Sequence, residues 1–146
     1  ALHLVADVDD RLPRLDGARE HDECGIGLAA GNLEPGQAQP RLIAQQAAAM
    51  QTLKQSGQRW IEIDLSSQRL YAWEGDRPVY AILVSTGKTA TPTPTGRFAI
   101  QSRHRYARMQ GDDYDVPDVP YTLYYHRGYA IHGAYWHHRF GTPVSH

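Results

Sequence analysis

Residues 59–84 read RWIEIDLSSQRLYAWEGDRPVYAILV. The period at the start of this stretch is two. Ile61, Ile63 and Leu65 alternate with Trp60, Glu62 and Asp64, the pattern of a half-buried strand. Ser66-Ser67 makes a short turn into Arg69-Leu70-Tyr71-Ala72-Trp73, and Glu74-Gly75-Asp76 makes a second. Val79–Val84 is a continuous apolar run, which predicts a central strand buried on both faces. Further along, Thr95–Gln101 predicts another strand, and Tyr121–Tyr125 with Tyr129–His132 predicts a hairpin through Arg127-Gly128. Six strands joined by short turns predict a mainly β chain, an antiparallel β sandwich or barrel-like sheet.

Working back from Arg59, a helix is predicted from about Pro40 to Gln55. Pro40 suits a first helical turn and Gly57 the residue past a helix end. Leu42, Ile43, Ala47, Met50 and Leu53 lie on one stripe between them. Before it, Pro13, Gly17, Gly25, Gly27, Gly31, Pro35 and Gly36 interrupt the chain every few residues, so 1–36 reads as an irregular arm. This divides the chain into an arm (1–36), a helix or linker (37–58) and a body (59–146). Two stretches of the body lack a regular pattern. Ser85–Pro94 holds Gly87, Pro92, Pro94 and four threonines. Tyr106–Pro120 holds Met109, Gly111, Pro117, Pro120 and four aspartates, and its length fits a functional lid or an ordinary surface loop.

The composition narrows the function classes. The 146 residues are 41% hydrophobic and 21% charged, enough apolar material for a core. The net charge of −1, from 15 basic and 16 acidic residues, ranks a dedicated nucleic-acid binder low. Its distribution is uneven: 1–36 carries eight acids against three bases, and 37–146 eight acids against twelve bases. The arm is acidic and the body mildly basic. No apolar run approaches the length of a membrane-spanning helix. Ala1–Asp10 lacks the charged and apolar regions of a signal peptide. A single cysteine, Cys24, excludes an internal disulfide framework.

Chemistry-bearing residues gather near the C-terminal end. Five of the eight histidines are His126, His132, His137, His138 and His146, and nine of the fourteen aromatics fall between Tyr106 and Phe140. Imidazoles move protons near neutral pH, and aromatics form a rigid, half-apolar wall for a polar ligand. Four of these histidines (His132, His137, His138 and His146) could in principle bind zinc. Their spacing fits no short helical zinc signature, and Gly141 and Pro143 argue for a loop, so no metal is expected.

The segment Ala130–His146, with His132-Gly133 at one end and Ser145-His146 at the other, resembles the catalytic motif of the L,D-transpeptidase (YkuD-type) family. That motif is a histidine followed, after a loop, by Ser/Thr-His-Gly-Cys. Ile63-Asp64-Leu65-Ser66 with Gln68-Arg69-Leu70-Tyr71 resembles the family's first hairpin. Val84-Ser85-Thr86-Gly87 with Thr93-Pro94-Thr95-Gly96-Arg97-Phe98 resembles its next signature, and Met109–Tyr125 its lid and the following strand. The resemblance covers 59–146.

The resemblance implies a YkuD-type β domain and a cysteine acyltransferase without a cofactor. Such an enzyme cuts the L,D bond after the third residue of a peptidoglycan stem peptide and joins that residue to a neighbouring stem. His132 would be the base, the Gly133 carbonyl would fix its tautomer, and Ser145 and His146 would line the nucleophile's turn. Tyr121, Tyr129 and Trp136 would be wall residues, and Met109 and Tyr114 lid contacts. The family's cysteine falls two positions after His146. The 146-residue chain is therefore expected to be C-terminally incomplete and inactive, with a degenerate homologue as the alternative. The expected setting is the bacterial cell envelope, reached by secretion, and the expected state a monomer. A non-catalytic wall-binding module is the competing reading. His21–Gly27, around Cys24, is similar to the start of class II glutamine amidotransferase domains. That likeness spans only a few residues, and Cys24 is not N-terminal.

Overall fold

The computed structural model describes residues 3–7 and 38–145. Cys24, the rest of the arm and His146 lie outside the described residues. One helix, α1 (Ala38–Ser56), and eight strands are present among them: β1 (His3–Asp7), β2 (Arg59–Asp64), β3 (Arg69–Glu74), β4 (Arg77–Leu83), β5 (Gly96–Ala99), β6 (Ser102–Gly111), β7 (Tyr114–His126) and β8 (Tyr129–Ile131). The mainly β class, the antiparallel sheets and the N-terminal helix match the reading of the sequence. The described residues fall into two compact units, 3–7 with 38–98 and 139–145, and 99–138.

The first unit is built on a five-stranded sheet in the order β4-β3-β2-β1-β5. β2 pairs antiparallel with both β1 and β3, with Trp60 opposite Trp73 and Ile63 opposite Leu70. Thus β1, drawn from the stretch read as an irregular arm, is a sheet strand. The alternation in β2 predicts one buried face, but β2 is buried on both. Trp60 and Glu62 are buried as well as Ile63. The cover comes from α1, whose Leu53 forms a core with Trp60, flanked by Met50 and Trp73. The two indoles stack 5.2 Å apart at 8°. Trp60 Nε1 donates to the Gly75 carbonyl at 2.8 Å, and Trp73 Nε1 donates to Glu62 at 3.1 Å. Each buried polar group thereby keeps a partner, as burial demands.

β4 corrects the sequence reading. Its apolar run predicts a central strand, yet among the described residues β4 pairs with β3 alone, and all its residues are exposed, Tyr80 at 57%. An unbroken apolar run encodes strand propensity but not rank within the sheet.

The second unit is a three-stranded antiparallel sheet in the order β6-β7-β8. The expected structureless lid at Tyr106–Pro120 is instead a long hairpin of β6 and β7, turning at Asp112-Asp113. β7 carries two prolines where, among the described residues, β8 does not run alongside it: the β7–β8 pairs lie at Leu123–His126. The register shifts between Ala107 and Met109, and Asp118 and Tyr121 take positive φ, absorbing the irregularity. The hairpin through Arg127-Gly128 forms as expected, with Arg127 at positive φ.

Candidate active site

His132 follows directly on β8, where the strand ends at Ile131. Its Nδ1 lies 2.9 Å from the Gly133 carbonyl oxygen. A carbonyl only accepts, so Nδ1 carries the hydrogen and Nε2 keeps its lone pair. Burial holds the His132 pKa below its ordinary value; the Gly133 carbonyl opposes that shift and His137 adds to it. Burial thereby favours the neutral ring, which leaves Nε2 to accept a proton. The Trp136 indole stacks on it at 5.7 Å and 24°.

The turn that holds this ring is fixed at its backbone. Gly133 N donates to the Pro120 carbonyl at 2.8 Å, tying the residue after His132 to β7. The approach is close enough that a Cβ at position 133 would lie 2.8 Å from Pro120 Cγ. Tyr135 Oη donates to the Pro117 carbonyl at 2.7 Å, a second tie to the same strand. Asp118 and Tyr121, the β7 residues at positive φ, lie next to these tied positions. Backbone strain of that kind collects around functional sites.

The remaining aromatic and lid residues expected at the site divide into several groups. Trp136 joins His132 directly. Tyr121 is exposed on β7, next to Pro120. Tyr129 packs with Tyr125 and His126, at 6.5 and 6.3 Å, as part of an aromatic patch of the sheet. Burial, with Tyr129 adding to it, pushes the Tyr125 hydroxyl far above its ordinary pKa. Met109, half-buried, faces Val116 across the hairpin stem. Tyr114 stands at the hairpin tip with its ring over Gly111.

Ser145 belongs to the first unit. Its N–H donates to the Thr86 carbonyl at 3.0 Å, and its carbonyl accepts from Lys88 N at 3.0 Å, a parallel bridge opposite Gly87. Gly87 is required here, because a side chain would overlap the Thr91 carbonyl. Gly141 N donates to the Val84 carbonyl at 2.8 Å, Ser85 Oγ donates to the Thr142 carbonyl at 2.8 Å, and Val144 N donates to Ser85 Oγ at 3.2 Å. The irregular Ser85–Pro94 stretch thus strands itself to the segment that ends in Ser145. Thr86 and Gln68 support that segment, and in the sequence the only signal of them is their place in Val84–Gly87 and Gln68–Tyr71. No group of metal-ligating side chains occurs among the described residues.

The sequence matches the family model of the YkuD L,D-transpeptidase catalytic domain over residues 58–146. The chain belongs to the L,D-transpeptidase catalytic-domain family. Comparison with curated proteins and with solved structures found no match. As an L,D-transpeptidase relative, the chain belongs with acyltransferases that act on peptidoglycan, generally in the cell envelope. No helix among the described residues is long and apolar enough to cross a membrane.

Proposed function

We propose that this protein is a peptidoglycan L,D-transpeptidase that cross-links stem peptides at their third residues by Cys-His acyl transfer. The observation that carries the reading is the His132–Gly133 pair: Nδ1 sits 2.9 Å from a backbone carbonyl, which leaves Nε2 as the basic nitrogen. Nε2 takes the proton from the thiol two positions after His146, and the thiolate attacks the amide carbonyl after the third stem residue. Backbone N–H groups of the Gly-Cys turn stabilise the oxyanion. The C–N bond then breaks, the imidazolium returns its proton to the departing D-alanine amine, and a thioester remains. The third-residue amine of a second stem attacks that thioester, loses a proton to His132 and releases the thiol. A carboxylate partner is not needed, because the Gly133 carbonyl orients the ring. In this reading Tyr121, Tyr129 and Trp136 are wall residues for the substrate, Met109 and Tyr114 are lid contacts, and Ser145 and His146 belong to the nucleophile's turn. The catalytic body is 59–146, preceded by the helix segment 37–58 and the arm 1–36. The protein works as a secreted monomer on the extracytoplasmic face, where cross-linking sets cell shape.

The test is intact-protein mass spectrometry after exposure to a carbapenem, which this family binds covalently. It uses a polypeptide that continues through the Gly-Cys of the motif. One adduct is expected, lost on replacing the motif cysteine by serine and kept in Cys24→Ser. The 146-residue chain, whose one cysteine is Cys24, is expected to form none and to release no D-alanine. An unmodified longer polypeptide overturns the reading. A second reading, a wall-binding module without turnover, draws on the exposed Tyr121, Tyr135 and Trp136 rings. It predicts retention on purified peptidoglycan with no adduct.

A further inference from the structure

Gln68 occupies the turn between β2 and β3, is 5% exposed, and takes a φ of 54°. A positive φ is uncommon for a side chain of this kind. Its amide is fully engaged. Nε2 donates to the Leu65 carbonyl and to Thr86 Oγ1, both at 2.7 Å, while Oε1 accepts from Thr86 N at 2.9 Å. Its own carbonyl accepts from Val84 N at 2.9 Å. The bond to Leu65 is enough to close the turn. The other bonds reach sixteen and eighteen residues along the chain, to the segment whose opposite edge carries Ser145.

Thr86 stands between the two. Its N–H goes to Gln68 and its carbonyl accepts from Ser145 N. Val84 is held likewise, its N–H by Gln68 and its carbonyl by Gly141 N. The 84–86 segment is therefore clamped between a buried amide on one edge and the catalytic motif on the other. Only a primary amide of this length donates and accepts at once across that gap: glutamate lacks the donors, asparagine is one methylene short, and leucine lacks both functions.

We propose that Gln68 is a positioning residue for the catalytic motif, acting through Thr86 to fix the frame in which the chain leaves Ser145 toward the nucleophile. This rests on the acyl-transfer reading above and adds to it a residue remote from the reacting atoms. A misplacement of ~1 Å far from the chemistry can cost ~10²-fold in rate.

The test uses Gln68→Leu, Thr86→Val and Thr86→Ser in two measurements. On the 146-residue chain, amide hydrogen exchange is followed at Gly141, Lys88 and Ser145, with the β6–β7 amides as an internal control for folding. Faster exchange at the first three in Gln68→Leu and Thr86→Val, with the control unchanged and Thr86→Ser like the parent, supports the clamp. On the polypeptide carrying the motif cysteine, carbapenem acylation is resolved into a binding constant and a covalent rate constant. The expected result is a covalent rate constant lower by roughly tenfold to a hundredfold in Thr86→Val. The binding constant should hold and Thr86→Ser should restore the rate. Parental exchange at Ser145 in both Gln68→Leu and Thr86→Val overturns the proposal, as does a parental covalent rate in both. A parent polypeptide that never acylates, with the exchange pattern as expected, overturns the acyl-transfer reading and leaves the clamp supported.

Discussion

Trp136 lies over the imidazole of His132, ring centroids 5.7 Å apart and planes at 24°, the tryptophan as a residue being 43% exposed. One side of the base is thereby shielded from water, and desolvation is the leading cause of its lowered pKa. In Trp136→Ala water reaches that face, so the His132 pKa should rise toward its ordinary value of 6.5. An NMR titration of the ring on the 146-residue chain measures this directly. In an acylating polypeptide, the limb where rate grows with pH should move up by the same amount. The sign for stability follows from linkage: a depressed folded pKa gives stability that is whole above pH 6.5 and is lost as pH falls through the folded value. An unchanged ring pKa in the alanine variant would remove Trp136 from this role.

Replacing the base itself should cost far more. General-base help is typically worth ~10²–10⁴-fold, so His132→Ala in a polypeptide carrying the motif cysteine should lose that much acylation rate. The stack on Trp136 and the Gly133 contact disappear with the ring, so circular dichroism must accompany the kinetics. Near-parental acylation in a folded His132→Ala chain would assign the base elsewhere.

Position 133 carries a different demand. A methyl group on Gly133 would meet Pro120 Cγ at 2.8 Å, and a pyrrolidine ring cannot swing away as a long side chain can. The Gly133 N–Pro120 carbonyl bond would have to lengthen. Overpacking of this kind costs ~1–3 kcal/mol, so Gly133→Ala should lower the denaturant midpoint by a corresponding amount. A variant as stable as the parent would show that β7 yields at Pro120.

What could be read from residue order follows the range of the forces concerned. The β2–β3 hairpin was legible because its cause is local: alternation, then Ser66-Ser67, where Asp64 accepts from both serines. The helix was legible from Pro40, Gly57 and a single stripe. The rank of β4 was not, since Val79–Leu83 looks the same whether one neighbour strand pairs with it or two. The β6–β7 hairpin was hidden by Pro117, Pro120 and the aspartates, residue types that signal breaks when read without the pairing around them. His132 and Ser145 were marked by motif. Gln68 lies in the Gln68–Tyr71 signature, but its role is not legible there, because it comes from bonds to Thr86, eighteen residues away.

The helix is part of the first unit's core and not only a linker. Leu53 and Trp60 are both almost wholly buried and pack together. Truncating a buried leucine removes transfer energy and leaves a cavity, at ~2–5 kcal/mol. Leu53→Ala should therefore destabilise the first unit by that amount in urea unfolding followed by tryptophan fluorescence. A loss well under ~1 kcal/mol would mean that the helix contributes little to the core.

Asp64 supplies an acid-sensitive element at the same sheet. Burial alone would raise its carboxyl, but hydrogen bonds from the side chains and backbone of Ser66 and Ser67 overcome that and hold it at about 2. A depressed folded pKa contributes stability above the unfolded value of 3.8, lost as pH falls through about 2. Asp64→Asn keeps a carbonyl oxygen for the serines but has no proton to gain. The parent should therefore lose more stability than Asp64→Asn between pH 3.8 and about 2, measured by urea titration at each pH. The residue is half-buried and its bonds to the serines lie open to solvent, which keeps the difference small. Parallel acid limbs in the two proteins would assign the acid sensitivity to other carboxylates.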